Sequence, residues 1–275
     1  DTFFSSLRNT LMSINNIPNI DQVISEYKNL ESKLKLNFPS EFDMAEVLAD
    51  NVIDPSETSI DKVWRSIWEK PLYANTKVEH GNKWIKKLET HMTDSLNTWG
   101  YEEELLIRKI GKTGKNIDFQ IIGKLSSKIK DLNIAYKRLY TIQCAVISLR
   151  EMMNNNPYPL AFLMDEPMDQ NYPFKKYMKQ ISFGYGWGAI TKLHTMADLG
   201  CAVKPDLHVC RTIHHLGMCP EIPTSVENPN LEQSIIINLA CMELLSELQK
   251  RFPEEGYRLR SLDYILMRIS LNSLL

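Results

Sequence analysis

Cysteine is scarce in this chain of 275 residues, and its few copies fit neither a disulfide framework nor a zinc site. The five positions are Cys144, Cys201, Cys210, Cys219 and Cys241. An odd count at wide spacing favours a reducing compartment, and the lack of a Cys-x-x-Cys pair argues against bound zinc. We therefore expect a cytoplasmic protein without structural metal.

Long apolar runs are also missing. Even Ile235-Ile236-Ile237 is far shorter than the roughly 20 residues that a membrane helix needs. The first residues show neither the basic start nor the apolar stretch of a signal peptide. Hydrophobic residues nevertheless make up 43% of the chain, so we expect a globular protein with a core and no membrane partner.

The formal net charge of −2 does not suit a protein that coats nucleic acid indiscriminately. The charge is unevenly distributed, however, because residues 108–138 carry nine basic residues against two acidic ones, a net charge of +7. The basic members are Arg108, Lys109, Lys112, Lys115, Lys124, Lys128, Lys130, Lys137 and Arg138. This run is either the footprint of a polyanionic partner or a solvated helix face.

Helical periodicity dominates the rest of the sequence. Apolar residues recur every three or four positions over 132–153, 231–248 and 262–269, and shorter helices are expected near 41–51, 59–68, 78–97, 101–110 and 117–130. Sustained alternation flanked by hairpin turns is not evident. The predicted fold class is all-α. An Asn-rich turn before Pro157 separates an N-terminal helical region, 1–156, from a second region, 157–275.

The most informative stretch is a glycine-punctuated turn, Gly184-Tyr185-Gly186-Trp187-Gly188, that opens a helix ending near Gly200. A short apolar link then leads to Lys204-Pro205-Asp206, which begins another helix. Glycines allow a close backbone approach, and a helix start presents unpaired N–H groups that suit phosphate. A tight structural connection is the alternative. Residues 171–217 carry six basic residues and two aspartates, a net charge of +4.

The glycine hairpin, its helix and the following Lys-Pro-Asp-x-His-Val-x-Arg segment resemble the helix-hairpin-helix DNA glycosylase superfamily. The similarity covers residues 157–217 and, more weakly, 257–270, whereas residues 1–156 resemble no known family. It implies a two-lobed helical fold with an N-terminal extension, and an enzyme that removes a base flipped out of double-stranded DNA. A monomeric protein, cytoplasmic or nucleoid-associated, is expected.

The same resemblance assigns roles to single residues. Asp206 becomes the catalytic carboxylate, although a plain helix N-cap is its alternative role. The residues placed at the DNA backbone are Gly184, Gly186, Gly188, Lys192, Lys204 and Arg211. Those bordering the base pocket are Asp169, Gln170, Tyr185 and Trp187. Capping, turn or core roles are the alternatives for this last group, with a core role favoured for Trp187. His208 is expected to pack or to touch phosphate.

Superfamily members that also cut the DNA strand carry a lysine where this chain has Gly188, 18 residues before Asp206. The chain is therefore predicted to be monofunctional, to release an alkylated purine or a bulky modified cytosine, and to act in base-excision repair or phage defence. No cofactor is expected beyond a monovalent cation at the hairpin carbonyls, and no iron–sulfur cluster, since only Cys219 closely follows the second helix. The alternative function is a non-catalytic helix-hairpin-helix DNA-binding protein.

Overall fold

The computed structural model describes residues 19–54, 58–74, 76–91, 99–153, 183–223, 225 and 229–275. In chain order their elements are α1 (Ile20–Asn37), α2 (Pro39–Asp50), α3 (Ile60–Trp68), α4 (Lys70–Tyr73), α5 (Val78–Leu88), β1 (Leu106–Thr113), β2 (Asn116–Ile122), α6 (Ser126–Lys130), α7 (Tyr136–Met153), α8 (Ala189–Asp198), α9 (Leu207–His215), α10 (Leu231–Arg251), a 3₁₀ turn (Pro253–Glu255) and α11 (Leu259–Leu271). The all-α prediction is confirmed only in its coarser form, because the described elements are mainly helical but include one two-stranded sheet. Each helix in these ranges is too short or too polar to cross a lipid bilayer.

The chain divides into two compact units. We call the first the terminal unit, because its described residues are 19–53 and those from Met196 to Leu275. The second, the central unit, holds the described residues between Asp54 and Thr195. The division therefore places described residues from the two halves of the chain in one unit, whereas the sequence suggested one boundary after residue 156. Periodicity identifies helices but does not say which of them pack together.

The terminal unit is a helical bundle around one apolar core. Tyr27 and Leu34 of α1, Ile213 of α9, Ile237 of α10 and Leu266 of α11 are all completely buried there. Local chemistry sets the helix ends. A reciprocal capping box starts α10, in which the Asn230 side chain accepts from the N–H of Gln233 and the Gln233 side chain accepts from the N–H of Asn230.

The end of α8 follows the predicted glycine rule. Gly200 has a φ of +70°, and the two bonds that close a helix end are present: Gly200 N–H donates to Ala197 O (3.0 Å) and Cys201 N–H to Met196 O (2.9 Å). A Cβ at Gly200 would lie 2.7 Å from Val52 Cγ1, so the packing also requires glycine here.

The central unit contains the long amphipathic helix α7, which was predicted from its periodicity. Leu139, Ile142, Val146 and Leu149 of α7 are fully buried, at the spacing that aligns side chains on one helix face. The short helices α3 and α5 contribute further buried residues to this unit. The core of the unit therefore rests on helices.

Helices predicted over 101–110 and over most of 117–130 are wrong. These residues form an antiparallel hairpin, in which Thr113 pairs with Asn116 across a two-residue loop that begins at Gly114, where φ is +61°. A glycine at the first loop position is a favoured hairpin arrangement. Only the base of the hairpin is buried, at Ile107 and Ile121, which explains why the alternation of apolar and polar residues is weak.

Candidate active site

Asp206 immediately precedes α9 and caps it. Its Oδ1 accepts hydrogen bonds from the N–H groups of His208 (3.0 Å) and Val209 (3.1 Å). Its Oδ2 lies 3.7 Å from Lys204 Nζ, and the side chain is 21% exposed. The N-cap role is thus present, and a second carboxylate oxygen remains beside a cation and in partial contact with solvent.

The segment that leads to Asp206 is held by side chains from two other helices. Asn238 of α10 uses both ends of its amide on one residue: Val203 N–H donates to Oδ1 (2.7 Å) and Nδ2 donates to Val203 O (3.0 Å). One residue later, Lys204 N–H donates to Asp263 Oδ1 (2.8 Å) of α11. Because Asn238 and Asp263 are both buried, these bonds fix the backbone two and three residues before Asp206.

Asp263 belongs to a small buried charge network. Arg260 donates to Asp263 Oδ2 (2.5 Å) and to Asp198 Oδ1 (3.0 Å). Burial raises the pKa of Asp263 to about 6, against the opposing attraction of Arg260, and the nearby Asp206 carboxylate pushes the pKa in the same direction as burial. The effect of burial on the pKa of Asp263 is therefore larger than the opposing effect of the ion pair with Arg260. The backbone before Asp206 is therefore anchored to a carboxyl group with a pKa of about 6.

The other predicted residues on and near α9 have different surroundings. The His208 ring is 3.2 Å from Ser270 Oγ (Nδ1 to Oγ), in agreement with a packing role, while Arg211 is exposed. Cys210 is buried, and burial raises the pKa of its thiol to about 12, so the thiol stays protonated. Within the described ranges, no group of three or more His, Cys, Asp or Glu side chains is placed to hold a metal ion.

The structural requirement for glycine differs among the three glycines of the hairpin in the central unit. Gly184 and Gly186 have φ values of +77° and +83°. A Cβ at Gly186 would overlap Thr141 Oγ1 of α7 and lie 2.7 Å from its Cγ2, so this glycine allows close packing on α7. Among the described residues other than its chain neighbours, no atom lies within 4 Å of the position that a Cβ at Gly188 would take. The packing of the described residues therefore leaves room for a larger side chain at Gly188.

The two aromatic residues of this hairpin have different positions. Trp187 is 5% exposed, donates through Nε1 to Thr141 O (2.8 Å) and packs edge-to-face on Phe183 at 4.7 Å. This agrees with the core alternative for Trp187. Tyr185 is half-buried and lies beside Tyr140 of α7 and Phe119 of β2, with ring centroids 5.5 and 6.4 Å away. Tyr185 is therefore the hairpin aromatic available to a ligand.

Lys192 follows the hairpin on α8, where its N–H donates to Gly188 O (3.2 Å). Its side chain is half-buried, and this burial lowers the pKa of its amine. Asp169 and Gln170, the remaining base-pocket candidates, lie outside the described residues.

The basic run 108–138 is spread over the β-hairpin, α6 and the start of α7, so it is not one helix face. Arg138 is structural: its Nη1 donates to the carbonyls of Pro71 (2.7 Å), Leu72 (3.3 Å) and Ala74 (2.8 Å). Arg108 pairs with Glu102 at 2.6 Å. Several lysines remain exposed, namely Lys109, Lys112, Lys115, Lys124, Lys128, Lys130 and Lys137. These lysines and the exposed Arg108 form the cationic surface of the region, in which Lys124 also pairs with a glutamate, Glu104, at 3.9 Å.

Three residues with a clear local effect were missed from the sequence: Asn238, Asp263 and Gln143. Gln143 of α7 holds β1, since Ile107 N–H donates to Oε1 (2.6 Å) and Nε2 donates to Ile107 O (3.0 Å). A signal was available, because each of the three lies at an apolar position of a helical repeat. A polar residue at such a position needs a buried partner.

Searches against protein-family models, curated proteins and solved structures find no match to this chain.

Proposed function

We propose that this chain is a monofunctional DNA N-glycosylase of the helix-hairpin-helix type. The observation that carries the proposal is the support of the backbone before Asp206. Buried Asn238 and Asp263, from two other helices, bond to the backbone of Val203 and Lys204 and so fix the half-buried carboxylate that follows. The same bonds satisfy buried backbone groups of Val203 and Lys204, and they hold the following carboxylate in one position. Preorganisation of a charged group is what transition-state stabilisation requires.

The chemistry follows from the two oxygens of Asp206. Oδ1 is engaged by two N–H groups of α9, which orients the carboxylate and stabilises its negative charge at a helix N-terminus. Oδ2 would face the sugar of a flipped nucleotide. As the C1′–N bond breaks, the electron pair leaves with the base and C1′ becomes positive. Water then bonds to C1′, and its proton passes to Oδ2.

The hairpin provides the proposed contact with DNA in the central unit. Gly184, Gly186 and Gly188 are exposed, and the helix start at Ala189 follows directly, an arrangement suited to a phosphate. No amine side chain is present at Gly188, so the proposed reaction uses water and leaves an abasic site with an intact strand. The proposed substrate is an alkylated purine or a bulky modified cytosine, in base-excision repair or phage defence.

The test uses two substitutions of the same residue. Asp206→Asn keeps a side-chain oxygen for the α9 cap, whereas Asp206→Ala removes both the cap and the charge, at a cost of about 0.5–2 kcal/mol in stability. We expect Asp206→Asn to melt like the parent protein, to bind DNA equally or slightly better, and to lose at least about 10²–10³-fold in base release. Asp43→Asn, an exposed carboxylate on α2, is the control for the same change of charge.

Base release is measured on duplexes that carry alkylated, deaminated, oxidised or bulky modified bases. Alkali or an abasic-site nuclease should be required for strand cleavage, and borohydride should trap no covalent adduct. Near-full activity of Asp206→Asn would leave Asp206 as a cap only. A trapped adduct would assign a lyase step to an amine such as Lys192. Binding to DNA with no released base across the panel would favour the non-catalytic binder.

A further inference from the structure

A pocket of about 460 Å³ lies in the central unit, next to the tip of the β-hairpin. Its lining includes Lys115, Asp118 and Phe119 of the β-hairpin, Tyr136 and Lys137 of α7, and Tyr185 of the glycine hairpin. Its volume falls within the range of about 300–1,000 Å³ that is usual for sites of small organic ligands. Three separate elements thus contribute side chains to one concave surface.

The aromatic side of this pocket is supported by neighbouring side chains. Phe119, Tyr140 and Tyr185 form a mutually contacting triad, with ring centroids 5.2, 5.5 and 6.4 Å apart. Lys109 Nζ lies over two of these rings, at 4.5 Å from Tyr185 and 5.0 Å from Tyr140. The planes of Phe119 and Tyr185 are inclined by 64°, so a flat ligand stacked on Tyr185 meets Phe119 at an angle. Rings held in this way lose little side-chain freedom when such a ligand binds.

The same pocket also carries positive charge, which two lysine side chains supply. Lys115 and Lys137 are exposed at the pocket and, within the part of the chain that the structure describes, neither forms a salt bridge. Asp118 is engaged by Thr113, whose Oγ1 donates to Asp118 Oδ2 at 2.6 Å. A ligand with a flat ring and an attached phosphate matches both features. Aromatic rings beside lysines are the usual composition of sites for unstacked nucleotides.

We propose that this pocket binds a single unstacked nucleotide of DNA, with the base against Phe119 and Tyr185 and the flanking phosphates at Lys115 and Lys137. The proposal rests on the proposed function in taking DNA as the polymer, and it adds a subsite for nucleotides displaced from the helix. A paired base is unavailable to such a surface. The pocket should therefore favour single-stranded over fully paired DNA.

The experiment measures the affinity of a fluorescently labelled 12-nucleotide single strand and of the matching duplex by anisotropy. Tyr185→Leu removes the ring and Tyr185→Phe retains it. We expect Tyr185→Leu to weaken single-strand binding by about 5- to 100-fold, the usual range for loss of one stacked base. Tyr185→Phe should bind as the parent does, and duplex affinity should change by less than twofold in both variants.

Charge is controlled with two double variants in the same unit. Lys115→Gln with Lys137→Gln removes the pocket lysines, and Lys83→Gln with Lys86→Gln removes two exposed lysines of α5. Only the first should abolish the preference for the single strand. An equal effect of both pairs would overturn the proposal, as would unchanged single-strand affinity in Tyr185→Leu.

If Tyr185→Leu fails to fold, the subsite is tested by photo-crosslinking the unaltered protein to a single strand that contains 5-iodouracil. A crosslink at Tyr185 or Phe119 supports the subsite, and crosslinks confined to other residues overturn it. The outcome is independent of base release. Base release without any effect of Tyr185 on single-strand binding leaves the proposed function and removes the subsite. A Tyr185-dependent single-strand preference without base release does the reverse.

Discussion

The terminal and central units each use a buried side-chain amide to hold one backbone residue, but the side chains that follow the held residue differ in their exposure to solvent. In each unit a buried amide on a long helix bonds to both the N–H and the C=O of one residue: Asn238 to Val203, and Gln143 to Ile107. In the terminal unit the held segment continues into half-buried Asp206. In the central unit it continues into a strand whose outer residues are exposed.

This difference separates two requirements. A carboxylate that stabilises a developing charge must be held in one geometry, and the network of Asp263 and Arg260 extends that support around the backbone before Asp206. A surface that contacts a polyanion must instead present its cations to solvent, as the lysines beyond Ile107 do. In the proposed function, similar anchoring would fix a carboxylate in one unit and support exposed lysines in the other.

The largest expected effect comes from breaking the two anchors. Asn238→Leu and Gln143→Leu each leave a buried N–H and a buried C=O without partners, so each should lower the free energy of unfolding by roughly 2–5 kcal/mol. Urea titration measures this. For the proposed reaction, at a temperature where both variants are folded, Asn238→Leu should mainly reduce kcat of base release, and Gln143→Leu should mainly raise KM. Equal effects on kcat would remove the functional distinction between the two anchors.

The glycine hairpin offers a smaller, matched test inside the central unit. Gly186→Ala introduces a Cβ against Thr141 at a φ of +83°, so we expect a loss of about 1–3 kcal/mol in stability and a lower Tm. Gly188→Ala has open space and an ordinary φ, so it should be neutral or slightly stabilising. Thermal melts of both variants give the comparison. A tolerated Gly186→Ala would mean that the hairpin does not pack on α7 as described.

The charge network of the terminal unit predicts a pH effect. The pKa of Asp263 in the folded protein is about 6, above its ordinary value of 3.8. Stability from this group is fully present below about pH 4 and is lost as the pH rises through 6. The free energy of unfolding of the parent, relative to Asp263→Asn, should therefore fall between pH 4 and 6 and stay constant above pH 7. A rise over that interval would show that Arg260 dominates instead.

The smallest effect concerns the exposed lysines. Replacing Lys124, Lys128 and Lys130 by Gln should weaken binding to all DNA sequences and flatten the slope of log K against log salt by up to about 0.9 per phosphate contact. The control is a triple replacement in the terminal unit, at Lys33, Lys35 and Lys250, which are also exposed. Salt titrations of both triple variants decide whether the central unit is the main cationic surface. An unchanged slope in the Lys124, Lys128 and Lys130 variant would show that these lysines form only a solvated surface.

Much of the helical structure was predictable, because its determinants lie within a few residues of each other. The turn at Gly184 and Gly186, the end of α8 at Gly200 and the cap at Asp206 were all expected from residue type and spacing. The β-hairpin was not. Its partner strands bury only Ile107 and Ile121, so the pattern of alternation that marks a strand is nearly absent.

The sequence by itself determined the mainly helical character, the amphipathic stripe of α7 and the local chemistry at the helix ends, since these depend on neighbours one helical turn away. Tertiary structure decided which residues support Asp206. Asn238 lies 35 positions from Val203 and Asp263 lies 59 from Lys204. A polar residue at a buried position of the sequence pattern indicates that its side chain needs a hydrogen-bond partner. Which backbone group becomes that partner is determined only by the packing of α10 and α11 against the extended segment.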